Sequence, residues 1–262
     1  DGWRGWIPSG IRPYVEAQPL AAFFLGISSG FPSALIGATL TTRLAQDGIS
    51  KSAVTAFALT FLAYNFKFLW APLVDNVKLP FIGRLGQRRS WLWLTSLLVI
   101  IAVTFLGLVN PNNALSTVAF AAVTLGVLGA TLDIIIDAYR IELLEPHQLG
   151  TGSGMSQYGW RIGAASAGAL ALIVSSRLGW SVAYISCGVF ALPAILVGVF
   201  MGEPKRNFEP IVSRGIIQAL LDYFSPLVEF IKRQGAWLVL VFVLIHKIGD
   251  TLANLTLRLL FD

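Results

Sequence analysis

Two aspartates one helical turn apart, Asp133 and Asp137, follow a stretch from Ser90 to Leu132 that contains no Asp, Glu, Lys or Arg. Residues four apart share a helix face. Two carboxylates so placed in an apolar helix can hold a proton between them, as proton-coupled transport requires, or can pair with Arg140 or Arg161 and lock helices together. Lys67, in Tyr64-Asn65-Phe66-Lys67-Phe68, is the other ion set deep among apolar residues. It can receive an anionic group of a substrate, with Tyr64 and Asn65 beside it, or pair with Asp133 or Asp137. Arg161, in Gly159-Trp160-Arg161, starts a further apolar stretch and serves a substrate anion or snorkels to an interface. Trp160 stacks on a sugar or anchors a helix end. Lys247 and Asp250, three apart beside His246, form another neighbouring pair. His147 has no second ligand near it, so neither a metal site nor a cofactor is expected.

The elements carrying these residues follow from composition. Hydrophobic residues make up 55% of the 262 and charged ones 13%, against about a quarter charged in soluble domains. Mean hydropathy is +0.71. These values exclude a soluble enzyme, a nucleic-acid binder and a disordered chain. They describe an all-α polytopic membrane protein whose surroundings are the lipid bilayer. A membrane-crossing helix takes about 20 apolar residues, and spans are expected near 19–42, 53–74, 91–109, 115–138, 154–176, 179–201 and 235–258. Asn110-Pro111-Asn112-Asn113 is a turn between the third and fourth. Gly30-Phe31-Pro32 is expected to interrupt the first. Small residues at Gly26, Gly30 and Gly37, and at Gly163, Ala164 and Gly168, suit close helix packing.

Orientation follows from basic residues in the loops. The N-terminal segment with alternate loops holds Arg4, Arg12, Lys78, Arg84, Arg88, Arg89, Arg140, Lys205, Arg206, Arg214, Lys232 and Arg233; the opposite set holds Arg43, Lys51 and Arg177. Twelve against three places the N-terminus in the cytoplasm. Within 202–234, Ile216, Ile217, Leu220, Leu221, Phe224, Leu227, Val228 and Ile231 recur at helical spacing, the pattern of an amphipathic helix on the inner leaflet. Four regions result: a cytoplasmic segment 1–18, six helices over 19–201, a cytoplasmic linker 202–234, and the start of a second half over 235–262. Six spans, a long linker and a further span form the opening of a carrier built from two six-helix halves.

Ser28-Ser29-Gly30-Phe31-Pro32, Phe68-Leu69-Trp70-Ala71-Pro72-Leu73-Val74-Asp75, Gly83-Arg84, Gly86-Gln87-Arg88-Arg89-Ser90-Trp91, Asp133-Ile134-Ile135-Ile136-Asp137-Ala138-Tyr139-Arg140, Gly159-Trp160-Arg161 and Lys247-Ile248-Gly249-Asp250 occur in this order along nearly the whole chain. In these motifs the sequence resembles the muropeptide permease (AmpG) family of the major facilitator superfamily. Leu132 stands where that family usually has glutamine, and Trp160 where it has tyrosine. The resemblance implies a major-facilitator N-terminal half with one further helix. It implies proton-driven import of N-acetylglucosaminyl-anhydro-N-acetylmuramyl peptides across the bacterial inner membrane, for peptidoglycan recycling. Asp133 and Asp137 then couple protons, and Lys67, Asn65, Tyr64, Arg161, Lys247 and Asp250 bind the anionic glycopeptide. Asp75, Arg88 and Arg89 correspond to the superfamily's conformational gate between spans two and three.

Such carriers need both halves, and this chain stops near the end of its seventh span. Its expected partners are therefore a missing C-terminal half or other membrane subunits. The alternative is a half-carrier acting as a non-transporting accessory subunit of a larger membrane complex. An acetyl-CoA carrier is a further reading. So is an intramembrane prenyltransferase with Mg²⁺ on Asp133 and Asp137, although that chemistry needs a second acidic cluster.

Overall fold

The computed structural model describes residues 8–50, 53–54, 57–80, 82–205, 225, 228–245 and 248–249. Two units compose the chain, Asp1–Phe208 and Glu209–Asp262. Among the described residues of the second, Ala236–Ile245 is a short apolar helix. Lys247, Asp250, His246 and most of the amphipathic pattern at 216–231 lie outside the described residues.

Among the described residues of the first unit four helices are long and apolar enough to cross a membrane: Ala17–Gln46, Gln87–Leu108, Leu115–Leu143 and Trp180–Phe200. They form the first, third, fourth and sixth spans. Between the last two lies Leu149–Leu178, a fifth helix rich in glycine and serine. At 1.5 Å per residue it is about 45 Å long, which is membrane depth. Several helices outrun the charge-free windows. The third begins at Gln87 rather than 91, and the fourth continues to Leu143 rather than 138. Apolarity marks only the hydrocarbon depth, whereas the backbone ladder continues through Arg88, Arg89, Asp137 and Arg140. On the third span Leu97, Ile101, Phe105 and Leu108 make an exposed apolar stripe, as a lipid-facing surface does.

Two local expectations change. The first span stays helical through Gly30-Phe31-Pro32 and departs from the α pattern at Leu35–Thr39, a wider π-type turn in which Gly37 has φ −88° and ψ −112°. Proline disturbs a helix through its missing N–H and its clash with the preceding turn; here the irregularity is taken up beyond it, at a glycine. The second segment, expected as one helix over 53–74, is a succession of short turns: Phe57–Phe61, Leu62–Phe66, Lys67–Leu69 and Ala71–Asn76. Its last break falls at Trp70, ahead of Pro72 in the first turn of the following helix.

Without a hydrophobic drive between helices in lipid, close backbone packing holds them together. The first and fifth helices meet through glycines. A Cβ on Gly26 would lie 2.2 Å from the Ser156 carbonyl oxygen, and one on Gly30 2.1 Å from that of Trp160. From the other side, a Cβ on Gly159 would lie 2.0 Å from the Phe23 carbonyl oxygen, and one on Gly163 2.3 Å from that of Ile27. Gly37 instead accommodates the Phe61 ring.

The third span carries a charge at each end, one supplied by the segment that follows the sixth span and one by the first span. At its N-terminus the Glu203 carboxylate accepts the backbone N–H groups of Arg88 at 3.0 Å and Arg89 at 2.9 Å. At its C-terminus the buried Arg43 guanidinium donates to the carbonyls of Leu106 at 2.8 Å and Val109 at 2.6 Å. Both signs match the helix dipole and satisfy groups that have no partner within the helix. Arg43, expected in a loop, is thus a packed member of the bundle and also lies over the Tyr184 ring. Gly86, just before the third span, has φ 118° and ψ 145°, and a Cβ there would fall 2.2 Å from Glu203 Oε2. Gly86→Ala is expected to destabilise the protein by about 2 kcal/mol through backbone strain and a displaced cap. Thermal unfolding in detergent checks this; an unchanged midpoint refutes it.

Candidate functional site

The fourth span positions the central cluster. Asp133 and Asp137 project from one face of Leu115–Leu143 towards the short turn Lys67–Leu69. The Trp70 indole N–H donates to Thr131 Oγ at 3.0 Å and ties the two elements together beside the site. Lys67 Nζ donates to Asp133 Oδ2 and lies 3.8 Å from Asp137 Oδ2. The Ser29 hydroxyl, from the first span, donates to the other oxygen of Asp133. Asp137 Oδ1 accepts from Arg140 at 3.1 Å, and Arg140 in turn donates to Ser153 on the fifth helix at 3.0 Å. Two cations therefore serve two carboxylates, with Lys67 shared. The acids differ in surroundings, since Asp133 is 19% exposed and Asp137 46%.

Tyr64 lies over Gly129, where a Cβ would come 2.4 Å from the phenol oxygen. Its hydroxyl is buried and has no hydrogen-bond partner among the described residues. The structure thus gathers Lys67, Asp133 and Asp137, with Tyr64 against the same span. Asn65 and Arg161 are exposed and make no hydrogen bond or ion pair with any described residue. Lys67 and Arg140 already neutralise Asp133 and Asp137, which disfavours a divalent cation between the two carboxylates.

A second cluster joins the second segment to the third and fourth spans. Arg88 Nη1 pairs with Asp75 at 2.6 Å, and its Nη2 with Glu142 at 2.8 Å. Arg88 Nε is 3.1 and 3.2 Å from the two Glu142 oxygens. Arg88 and Glu142 are buried, at 8% and 6% exposure, whereas Asp75 is 41% exposed. The Gln87 side chain donates to the Asp75 carbonyl at 2.5 Å. Arg89 is not in the Asp75 pair; its guanidinium stacks on Trp93 at 4.3 Å.

Reading charges alone misses Ser29, Glu142 and Glu203. Ser29 is neutral and so invisible to a search for intramembrane ions. Glu142 lies past the apolar window of the fourth span, where its position two residues after Arg140 and opposite an arginine-rich loop was the available signal. Glu203 lies in Gly202-Glu203-Pro204, whose capping role emerges only when the sixth span returns beside the third.

The family model of the Major Facilitator Superfamily matches residues 20–256. The transporter AmpG 4 of Rickettsia felis is 33% identical over 232 residues, which are 88% of this chain and 56% of that protein. The anhydromuropeptide permease of Escherichia coli is 32% identical over 244 residues, 93% of this chain and 48% of that one. The chain spans about half the length of these curated relatives.

Proposed function

Because the chain belongs to the AmpG family within the major facilitator superfamily, we propose that it is part of a proton-coupled permease importing muropeptides across the bacterial inner membrane. In this reading residues 19–201 are the N-terminal six-helix half, 202–234 the linker and 235–262 the opening of the second half. The N-terminus is cytoplasmic, in keeping with the uneven distribution of Lys and Arg.

The observation that carries the proposal is the Lys67–Asp133–Asp137 cluster, in which one cation is shared by two acids on a membrane-spanning helix. Intramembrane ions are costly and mark substrate and proton paths. Lys67 is the group for an anionic part of the glycopeptide, and the acids are the groups for the proton. Asp75 and Arg88 form the gate between the second segment and the third span, with Arg89 beside it. Asn65, Arg161, Lys247 and Asp250 are further substrate-binding candidates.

Uptake of labelled anhydromuropeptide into proteoliposomes of the carrier tests the reading. Accumulation is expected to require an imposed proton gradient. Asp133→Asn is expected to reduce accumulation to the level of protein-free liposomes while membrane insertion persists. Accumulation without a gradient, or at the normal level in that variant, would count against coupling through this cluster.

A further inference from the structure

The two aspartates that share Lys67 stand to lose very different things when it leaves. Asp137 keeps Arg140 at 3.1 Å, and Arg140 is itself held by Ser153. Among the described residues Asp133 keeps no cation. It retains the Ser29 hydroxyl, with the Tyr64 hydroxyl, unpartnered among the described residues, on the neighbouring segment, and it is the more buried of the two acids. On the fifth helix Arg161 pairs with no described residue, so it does not take over from Lys67.

We propose that Asp133, and not Asp137, takes up one proton for each substrate carboxylate that Lys67 engages, so that anion and proton enter the site as a neutral pair. This rests on the permease reading above. The cluster as it stands is balanced, Lys67 and Arg140 against Asp133 and Asp137. A carboxylate arriving at Lys67 displaces its present acid partner and would leave an unpaired negative charge at membrane depth, which low dielectric opposes. The step that restores balance breaks the Lys67–Asp133 ion pair, forms a Lys67–substrate ion pair, and makes one O–H bond on Asp133 from a solvent proton. Ser29 serves both states. Its hydroxyl donates to the carboxylate, and after proton uptake it accepts from the new carboxyl O–H, because a serine hydroxyl is both donor and acceptor. Ser29 is thereby a positioning residue for the coupling acid.

The test is calorimetric titration of anhydromuropeptide into the detergent-purified carrier, in buffers of different ionisation enthalpy, which counts protons taken up per ligand bound. Wild type is expected to take up about one proton per ligand, by the linkage of charge and binding. Asp133→Asn is expected to bind with none, and Asp137→Asn still with about one. A muropeptide whose peptide carboxylates are capped as amides is expected to bind wild type without proton uptake, a comparison that needs no variant to fold. Binding to wild type without protons, or loss of the proton in Asp137→Asn and not in Asp133→Asn, overturns the assignment and leaves the permease reading standing. No binding of anhydromuropeptide by wild type overturns both.

Discussion

Gly159→Val is expected to leave little folded protein, a loss of about 3 kcal/mol at the upper end of what overpacking costs. The glycine Cα already lies so close to the first span that a Cβ would sit 2.0 Å from the Phe23 carbonyl oxygen and 3.1 Å from the Ile27 nitrogen. Both obstacles are backbone, so no side chain can rotate out of the way. Separating the helices would in turn open the contacts made through Gly26, Gly30 and Gly163 on the same seam. In lipid nothing replaces that packing, since acyl chains are as apolar as the helices they surround. Gly154 provides the control: it lies on the same helix with nothing within 4 Å of a built Cβ. Gly154→Ala is expected to behave as wild type. Thermal unfolding and protease resistance of the purified proteins make the comparison, and equal stability of Gly159→Val and wild type would refute the packing argument.

The second large effect concerns the ion cluster at the start of the third span. Arg88→Met removes both the guanidinium fork on Glu142 and the pair with Asp75. Glu142, 6% exposed, is then a buried carboxylate without a cation. Breaking a buried pair from one side costs about 3–5 kcal/mol. Adding Glu142→Leu to that variant is expected to recover most of the loss, because the penalty belongs to the orphaned charge rather than to the missing bond. Asp75→Asn is expected to cost about 1 kcal/mol or less, since its partner keeps Glu142 and the site is open to solvent. Unfolding midpoints of the three variants decide the matter. A single-variant loss that the second substitution does not relieve would show that Arg88 acts by packing instead.

How much of this could be read from residues alone varies with the kind of signal. The fourth span is plain in the charge-free run before Asp133, and the spacing of Asp133 and Asp137 already puts them on one face. That Lys67 meets them depends on how the broken second segment lies against Leu115–Leu143, and apolarity gives no account of such a break. The same uniform apolarity reads 53–74 as one membrane helix and conceals its short turns. Arg43 illustrates the opposite problem. By charge it belonged to a loop, yet the carbonyls at the end of another helix supply partners that permit its burial. Pairing across more than 50 positions of sequence leaves little local trace. Ser29 and Glu142 were hidden for that reason too, each meeting its ion only after distant spans assemble.

The two capping charges of the third span also set a timetable. Arg43 is synthesised before the helix it caps, and Glu203 well after it. A nascent chain ending short of residue 203 therefore carries the third span with its leading amides uncapped, even when its far end has already met Arg43. The last of these joints closes only when the sixth span has been laid down and its final turn has come back beside Gly86. Assembly of the six spans is in this sense a clasp whose hook is made early and whose eye is made last.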